Sequence, residues 1–311
     1  MSLALLFPGQ GAQHAGMLHT LPDGPAAHAA VVEATAAAGP LDYLDQPAAL
    51  ATTTGTQLAL LIAGVTAARA LVDDYRLRPE FVAGHSVGAF AAAVTAGVLT
   101  VGEAVVAVRI RGELMRQACA DGRWGMGVGV GLRLPDVRTL AADVGTTDDP
   151  LWIANINAAD QITLGGTREA LARTASAARV AGARKFELLD MDVASHGPIQ
   201  EPTARSIAEH LASIPRDRRQ TIRYLTNVGG RSVRDDPDAV LDDLAQSVAH
   251  PVQWYDASRL MGELGATVAV EMPPGHVLTG LVAGSVPAIH AIALAETGIE
   301  RTVATVLRGG E

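Results

Sequence analysis

The segment Gly84-His85-Ser86-Val87-Gly88 sets a serine between two glycines, following apolar Phe81-Val82-Ala83 and preceding an alanine-rich stretch. A Gly-x-Ser-x-Gly pattern places its serine on a tight strand-to-helix turn. The glycines allow strand and helix to approach closely. The Ser86 side chain then projects at the top of a sheet, over a helix N-terminus. There the backbone N–H of Val87 can face a developing oxyanion. Five-residue patterns of this kind arise often by chance, and the plainer reading is a packing turn of small residues. The flanking strand and helix signals favour a nucleophile.

A serine nucleophile needs a base. Of nine histidines, His196 stands out, in Val193-Ala194-Ser195-His196-Gly197-Pro198. It lies in a loop where the chain returns toward the serine-bearing sheet, and position alone does not separate it from an ordinary loop histidine. His85 adjoins the nucleophile but points elsewhere from so tight a turn, so it reads as a pocket-lining residue. Arg111 falls on the apolar stripe of a helix, with Ala104, Ala107, Val108, Leu114, Met115 and Ala118 at helical spacing. A charge on a buried face is costly unless paired. The helix alone favours a structural ion pair with a buried Asp or Glu. The alternative is a guanidinium that receives a ligand carboxylate through two hydrogen bonds. Gln10, in the loop Pro8-Gly9-Gln10-Gly11-Ala12-Gln13, reads either as a surface amide or as part of an oxyanion hole, since loops at strand carboxyl ends line the site in open α/β sheets.

The elements that must position these residues follow from pattern. Residues 2–7 read as a short buried strand of a parallel sheet, and 81–83 as a second. Helices are expected near 25–38, 55–72 and 102–119. The middle of the chain predicts strand 126–132, helix 135–143, strands 151–156 and 161–164, helix 168–181 and strand 184–190. That β-α-β-β-α-β order is the ferredoxin-like pattern, with Asn157-Ala158-Ala159-Asp160 as its central hairpin turn. The last third alternates again, with strands at 222–226, 267–271 and 288–293 and helices near 237–248, 254–264 and 297–307. The expected organisation is α/β: a large parallel-sheet domain of 1–124 and 193–311, and an insert of 125–192.

Composition bounds the function. With 49% hydrophobic and 18% charged residues among 311, the chain packs as a globule. A net charge of −9 argues against nucleic-acid or anionic-membrane partners. The single cysteine, Cys119, excludes an internal disulfide and a multi-Cys zinc site, and favours a cytoplasmic setting. The N-terminus lacks a basic region, its apolar run ends at Pro8, and the alanine-rich runs are broken by Gly, Arg or Asp. No signal peptide or membrane span is expected.

Taken together, Phe7-Pro8-Gly9-Gln10-Gly11, Gly84-His85-Ser86-Val87-Gly88, Arg111-Gly112-Glu113-Leu114-Met115, Ser195-His196, Pro251-Val252-Gln253-Trp254 and Pro274-Gly275-His276-Val277-Leu278 resemble the signatures of malonyl-CoA:acyl-carrier-protein transacylases. They run in order over almost the whole chain; each is weak alone and the set is specific. The resemblance implies a hydrolase-like large domain with a ferredoxin-like insert. It implies a ping-pong reaction on a Ser86–His196 dyad. The oxyanion would be held by the N–H of Val87 and an N–H of the Gln10 loop. Arg111 would bind the malonyl carboxylate, and His85 would line the site. Malonyl-CoA is then the donor and an acyl carrier protein the acceptor, with no metal and no tightly bound cofactor.

Two departures matter. Ala89 stands where the family usually has Glu or Gln, and Ser247, beside Gln246, stands where it often has a Gln near the histidine. A backbone carbonyl near Ser247 could orient His196 instead, and the sequence leaves that open. With Glu271-Met272-Pro273-Pro274-Gly275-His276, these departures look more like the transacylase (epsilon) subunit of malonate decarboxylase, whose carrier bears a dephospho-CoA-derived thiol. The rivals are the fatty-acid-synthesis transacylase, a serine esterase or thioesterase, which leaves Arg111 unexplained and calls for an acidic residue between Ser and His, and a docking subunit without chemistry. An acidic carrier would need a local basic face, for which Arg109, Arg116, Arg123, Arg184, Lys185, Arg216, Arg218 and Arg219 are candidates.

Overall fold

A computed structural model describes residues 2–308. Strand β1, Leu3–Phe7, is the unbroken apolar run expected, and all five residues are buried. The remaining strands are β2 (Phe81–Gly84), β3 (Trp124–Val130), β4 (Leu151–Ala158), β5 (Gln161–Thr167), β6 (Lys185–Leu188), β7 (Arg223–Leu225), β8 (Ser232–Val233), β9 (Val268–Glu271) and β10 (His290–Ala293).

They form two sheets. The first has the order β10-β9-β1-β2-β7-β8, parallel throughout except for the antiparallel edge strand β8. Register brings Phe7 opposite Gly84 and Leu6 opposite Glu271, so the loops after β1, β2 and β9 leave one edge together. Alternation along β1 splits the core: Leu3, Leu5 and Phe7 join the cluster on one face, Ala4 and Leu6 the cluster on the other. The second sheet, β4-β5-β3-β6, is wholly antiparallel and carries helices Leu134–Val144 and Arg168–Val180. This is the ferredoxin-like order predicted from pattern. The two sheets join where β4 meets Val252: Ile156 N donates to Val252 O at 2.8 Å and Val252 N to Ala154 O at 2.9 Å.

The helices that carry the site are fixed by local signals. Val101–Ala118 starts on a capping box, in which Thr100 accepts from Glu103 N and Glu103 accepts from Thr100 N. Thr53–Arg69 starts on Thr52, which accepts from Gly55 N. It runs on through a π-helical turn, Ala70–Asp74. This corrects one expectation. Thr53–Asp74 is 22 residues long and, by length and composition, apolar enough to cross a membrane; Gly64 does not break it. Its most apolar window is 89% buried inside the protein, where it serves as a core helix. Helices Glu201–Ala212 and Val277–Ser285, and the short turns Leu41–Leu44 and Pro47–Leu50, were not anticipated. The hairpin was placed too early: β4 runs to Ala158, so Asn157 is a strand residue and only Ala159 and Asp160 turn.

Candidate active site

The turn after β2 is set by close contact. A Cβ on Gly88 would lie 2.2 Å from Phe7 O, and one on Gly84 2.2 Å from Ala89 N, so both positions require glycine. Between them Ser86 takes φ +53°, a left-handed conformation costing a non-glycine residue about 1–3 kcal/mol. Helix Gly88–Thr95 follows, buried over its first seven residues.

His196 is brought to Ser86 from 110 positions away. Its Nε2 lies 2.9 Å from Ser86 Oγ. Its Nδ1 lies 2.5 Å from the carbonyl oxygen of Ser247. A carbonyl only accepts, so Nδ1 carries the proton and Nε2 is free to accept from the serine hydroxyl. The group that orients His196, left open by the sequence, is therefore a backbone carbonyl rather than a carboxylate. His196 also has a positive φ, +59°, and its N–H donates to Val248 O at 2.7 Å. The loop is pinned from the small sheet as well: Trp152 Nε1 donates to Ser195 O at 3.0 Å. The imidazole is 2% exposed. Burial, aided by the positive charge of Arg111, pushes its pKa down to about 3.

Arg111 is 1% exposed, on the buried stripe of its helix. Its Nη2 donates to Ser86 Oγ at 3.0 Å. Burial lowers its pKa to about 10, which leaves it cationic at neutral pH. Among the described residues no carboxylate lies within ion-pair distance of it, and its Nε has no hydrogen-bond partner. The structural ion pair favoured from the helix alone is thus not found. What remains is a buried cation beside the serine with donors to spare.

His85 points away from the serine, as expected. Its Nε2 lies 3.0 Å from Asn157 Oδ1, and burial lowers its pKa. Gln10 Oε1 accepts from Gln57 Nε2 at 3.1 Å. The N–H of Gly11 is occupied by Gln13 Oε1 at 2.7 Å. Neither Val87 N nor Gln10 N has a partner among the described residues. A cavity of about 180 Å³ opens from Gln10 and His85 between the two sheets, lined by the amides of Asn155, Asn157 and Gln161 and walled by Leu189 and Leu278. A larger cavity, about 410 Å³, lies near Arg231 and His250; neither cavity is lined by Ser86 or Arg111, but the smaller one is lined by His85 and Gln10, the neighbours of the nucleophile turn.

The sequence reading missed Asn157, Gln57, Trp152 and Asn227. Asn227 accepts from Ser86 N through Oδ1 at 2.8 Å and donates to Gly84 O through Nδ2 at 2.9 Å. The one signal available for it was its place just past a parallel strand's carboxyl end. The expected basic face is largely consumed internally. Arg123, Arg184, Arg216, Arg218 and Arg219 pair with Asp149, Asp160, Asp238, Glu103 and Asp235, and Lys185 with Glu187. Arg109 donates to the carbonyls of Ala37 and Ala38. Arg116 is exposed and forms no ion pair among the described residues.

Comparison with known proteins matches residues 4–297 to the acyl transferase domain family. The chain is 33% identical over 298 residues to the malonyl CoA-acyl carrier protein transacylase of Salmonella typhimurium, covering 94% of this chain and 96% of that protein. It is 33% identical over 297 residues to the protein of the same name from Haemophilus influenzae, covering 94% of each. Among solved structures, the transacylase (FabD) of Coxiella burnetii superposes with a TM-score of 0.91 at 30% identity, over 99% of this chain and 97% of that one. A malonyl-transacylase solved in complex with a type II PKS acyl-carrier protein superposes with a TM-score of 0.90 at 30% identity, over 99% and 100%.

Proposed function

We propose that this chain, which belongs to the acyl transferase domain family, moves a malonyl group from malonyl-CoA through an ester on Ser86 to the thiol of an acyl carrier protein. The observation that carries the reading is Arg111: a buried, cationic guanidinium with no acidic partner among the described residues, hydrogen-bonded to the nucleophile itself. A buried charge without a counter-ion is costly. An acyl group ending in a carboxylate supplies one; an acetyl group does not.

The chemistry follows from the distances. Ser86 Oγ attacks the thioester carbonyl as its proton passes to His196 Nε2, 2.9 Å away. The oxyanion accepts from the free N–H groups of Val87 and Gln10. Collapse breaks the C–S bond, and the proton on His196 leaves with the CoA sulfur. The malonyl carboxylate replaces Ser86 as the partner of Arg111. The amide-lined cavity beside His85 suits the uncharged, amide-bearing arm common to CoA and to a carrier's prosthetic group. A carrier thiol then gives its proton to His196 and attacks the ester, and Ser86 recovers the proton. Neutral imidazole is required to take the proton from Ser86 and from the carrier thiol, and the low pKa of His196 keeps it neutral before each step.

The relatives support an acyl carrier protein as acceptor over the malonate decarboxylase carrier, since the curated ones carry the name malonyl CoA-acyl carrier protein transacylase and one solved neighbour is a malonyl-transacylase in complex with a type II PKS acyl-carrier protein; the fatty-acid-synthesis reading is therefore preferred to malonate decarboxylase. The residues that pointed to malonate decarboxylase carry little weight in this setting. The Ser247 position acts through its carbonyl, whatever its side chain, and Ala89 is fully buried at the start of a helix. An esterase reading has less support: His196 faces a carbonyl and not a carboxylate.

Incubating the protein with malonyl-CoA or acetyl-CoA, quenching in acid and mapping acyl groups by peptide mass spectrometry tests the reading. Malonyl on the Ser86 peptide, absent from Ser86→Ala, is expected; free acid accumulating without acyl-serine would show a hydrolase instead. Loading of a fatty-acid carrier against a dephospho-CoA-type carrier decides the acceptor.

A further inference from the structure

Asn227 hydrogen-bonds the serine turn on both sides of Ser86, and a buried carboxylate holds it. We propose that Asn227, fixed by Asp243, is a positioning residue that clamps the nucleophile turn and reserves the oxyanion site for Val87 and Gln10. Three observations combine. First, one side chain grips both sides of the strained residue: Oδ1 accepts Ser86 N–H at 2.8 Å while Nδ2 donates to Gly84 O at 2.9 Å. Ser86 sits at φ +53°, a conformation that lasts only where its surroundings enforce it. Second, the Ser86 N–H is spent on this bond, so it cannot turn toward the substrate carbonyl. The Val87 and Gln10 N–H groups stay free, and the acyl carbonyl is aimed by those two alone.

Third, Asn227 is itself immobilised. It is 3% exposed, and its own N–H donates to Asp243 Oδ2 at 3.0 Å. Asp243 also accepts from Val228 N at 2.8 Å and from Tyr224 OH at 2.7 Å. A carboxylate buried at 4% exposure is affordable here because three donors converge on it. The chain Tyr224–Asp243–Asn227–Ser86 thus ties strand β7 and helix Pro237–Gln246 to the turn after β2.

The inference rests on Ser86 being the acylated residue, so its test needs readouts that separate the two. Acylation of Ser86 is followed by rapid-quench mass spectrometry with malonyl-CoA, and in parallel by labelling with a fluorophosphonate, which reports serine nucleophilicity without needing Arg111 or CoA. Asn227→Ala is expected to slow both about 10- to 100-fold, the loss typical of a misplaced reacting group. Half-saturation by malonyl-CoA should stay within about threefold, because Asn227 is buried and its side-chain amide is engaged with the turn.

Thr226→Val is the structural control. It breaks the hydrogen bonds from Thr226 Oγ1 to Val228 O and from Arg231 N to Thr226 Oγ1 in the same loop, without touching the turn. It should lower thermal stability comparably and leave both rates near wild type. If folded Asn227→Ala reacts within threefold of wild type, or if Thr226→Val slows labelling equally, the clamp is refuted. Should Asn227→Ala not fold, Tyr224→Phe, which removes one donor at the far end, is expected to slow labelling about threefold; an unchanged rate refutes the proposal too. Wild-type protein that labels with fluorophosphonate yet never takes malonyl would sink the transferase reading and leave this one standing.

Discussion

Ser86 divides its hydroxyl between two partners, accepting from Arg111 and donating to His196. Burial and the guanidinium charge both disfavour imidazolium, which is why the His196 pKa is pushed down to about 3. The sign for catalysis is direct. The base is active when neutral, so activity on free enzyme is lost only as pH falls through that low value. The kcat/KM profile for malonyl-CoA is expected to stay flat from pH 8 down to about 5, well below the ordinary histidine range. An acid limb near 6.5 would mean that His196 is not held as described. With acetyl-CoA as donor, Arg111→Met should move the acid limb upward, because one of the charges opposing imidazolium is gone. The same variant should lose about 100- to 1000-fold in acylation by malonyl-CoA, the scale of a broken buried ion pair, while acetyl transfer holds or improves. Parallel acyl-enzyme assays with the two donors read both outcomes.

At the scale of elements, the sequence was legible wherever local chemistry fixes local structure. The run Leu-Ala-Leu-Leu-Phe reads as a buried strand and is one, and the apolar spacing around Arg111 marks the helix that the structure shows as Val101–Ala118. It was less legible where contacts made across the fold decide. Asn157 looks like a turn residue by type, yet it lies in β4 because pairing with β5 continues to Ala158 and its side chain is held by His85. Gly197 was legible only as a loop glycine. In the fold a Cβ there would lie 2.0 Å from Trp152 Nε1, because the small sheet presses its indole onto the histidine loop. Gly197→Ala is therefore expected to displace His196 and slow acylation about 100-fold, with less effect on thermal stability than on rate. Trp152→Phe, which removes the bond to Ser195 O and part of the indole packed on the histidine loop, should cost about threefold to tenfold. Unchanged acylation in both variants would show that the small sheet does not hold the base.

The molecule as a whole carries a net charge of −9, and its candidate cations are mostly engaged with its own acids. Exposed pairs are each worth only about 0–1 kcal/mol, so they exchange readily for a partner's charges. Arg116 needs no such exchange. Loading of an acidic carrier is expected to weaken with salt while acylation by malonyl-CoA does not. Arg116→Glu should raise the carrier concentration needed about threefold to tenfold, chiefly through slower association. Steady-state assays of the two half-reactions over 50–500 mM salt, on the order of Debye lengths from 14 to 4 Å, check this. Equal salt sensitivity in both halves would remove carrier electrostatics from the account.

What the sequence determined by itself was the inventory and its order: a serine between two glycines, a histidine in a return loop, an arginine on an apolar helix face, and alternating strands and helices that indicate an α/β sheet with a ferredoxin-like insert. Those features are local, because hydrophobic period, caps and turn glycines act over a few residues. Only the tertiary structure decided which partners meet. That His196 is oriented by a carbonyl, that Arg111 has no acid beside it among the described residues, and that Asn227 grips the serine turn all depend on side chains 25 to 141 positions apart. Spacing along the chain carries no record of such contacts. They arise from parallel register, which brings the carboxyl ends of β1, β2, β7 and β9 to one edge, and from the packing that closes the small sheet over it.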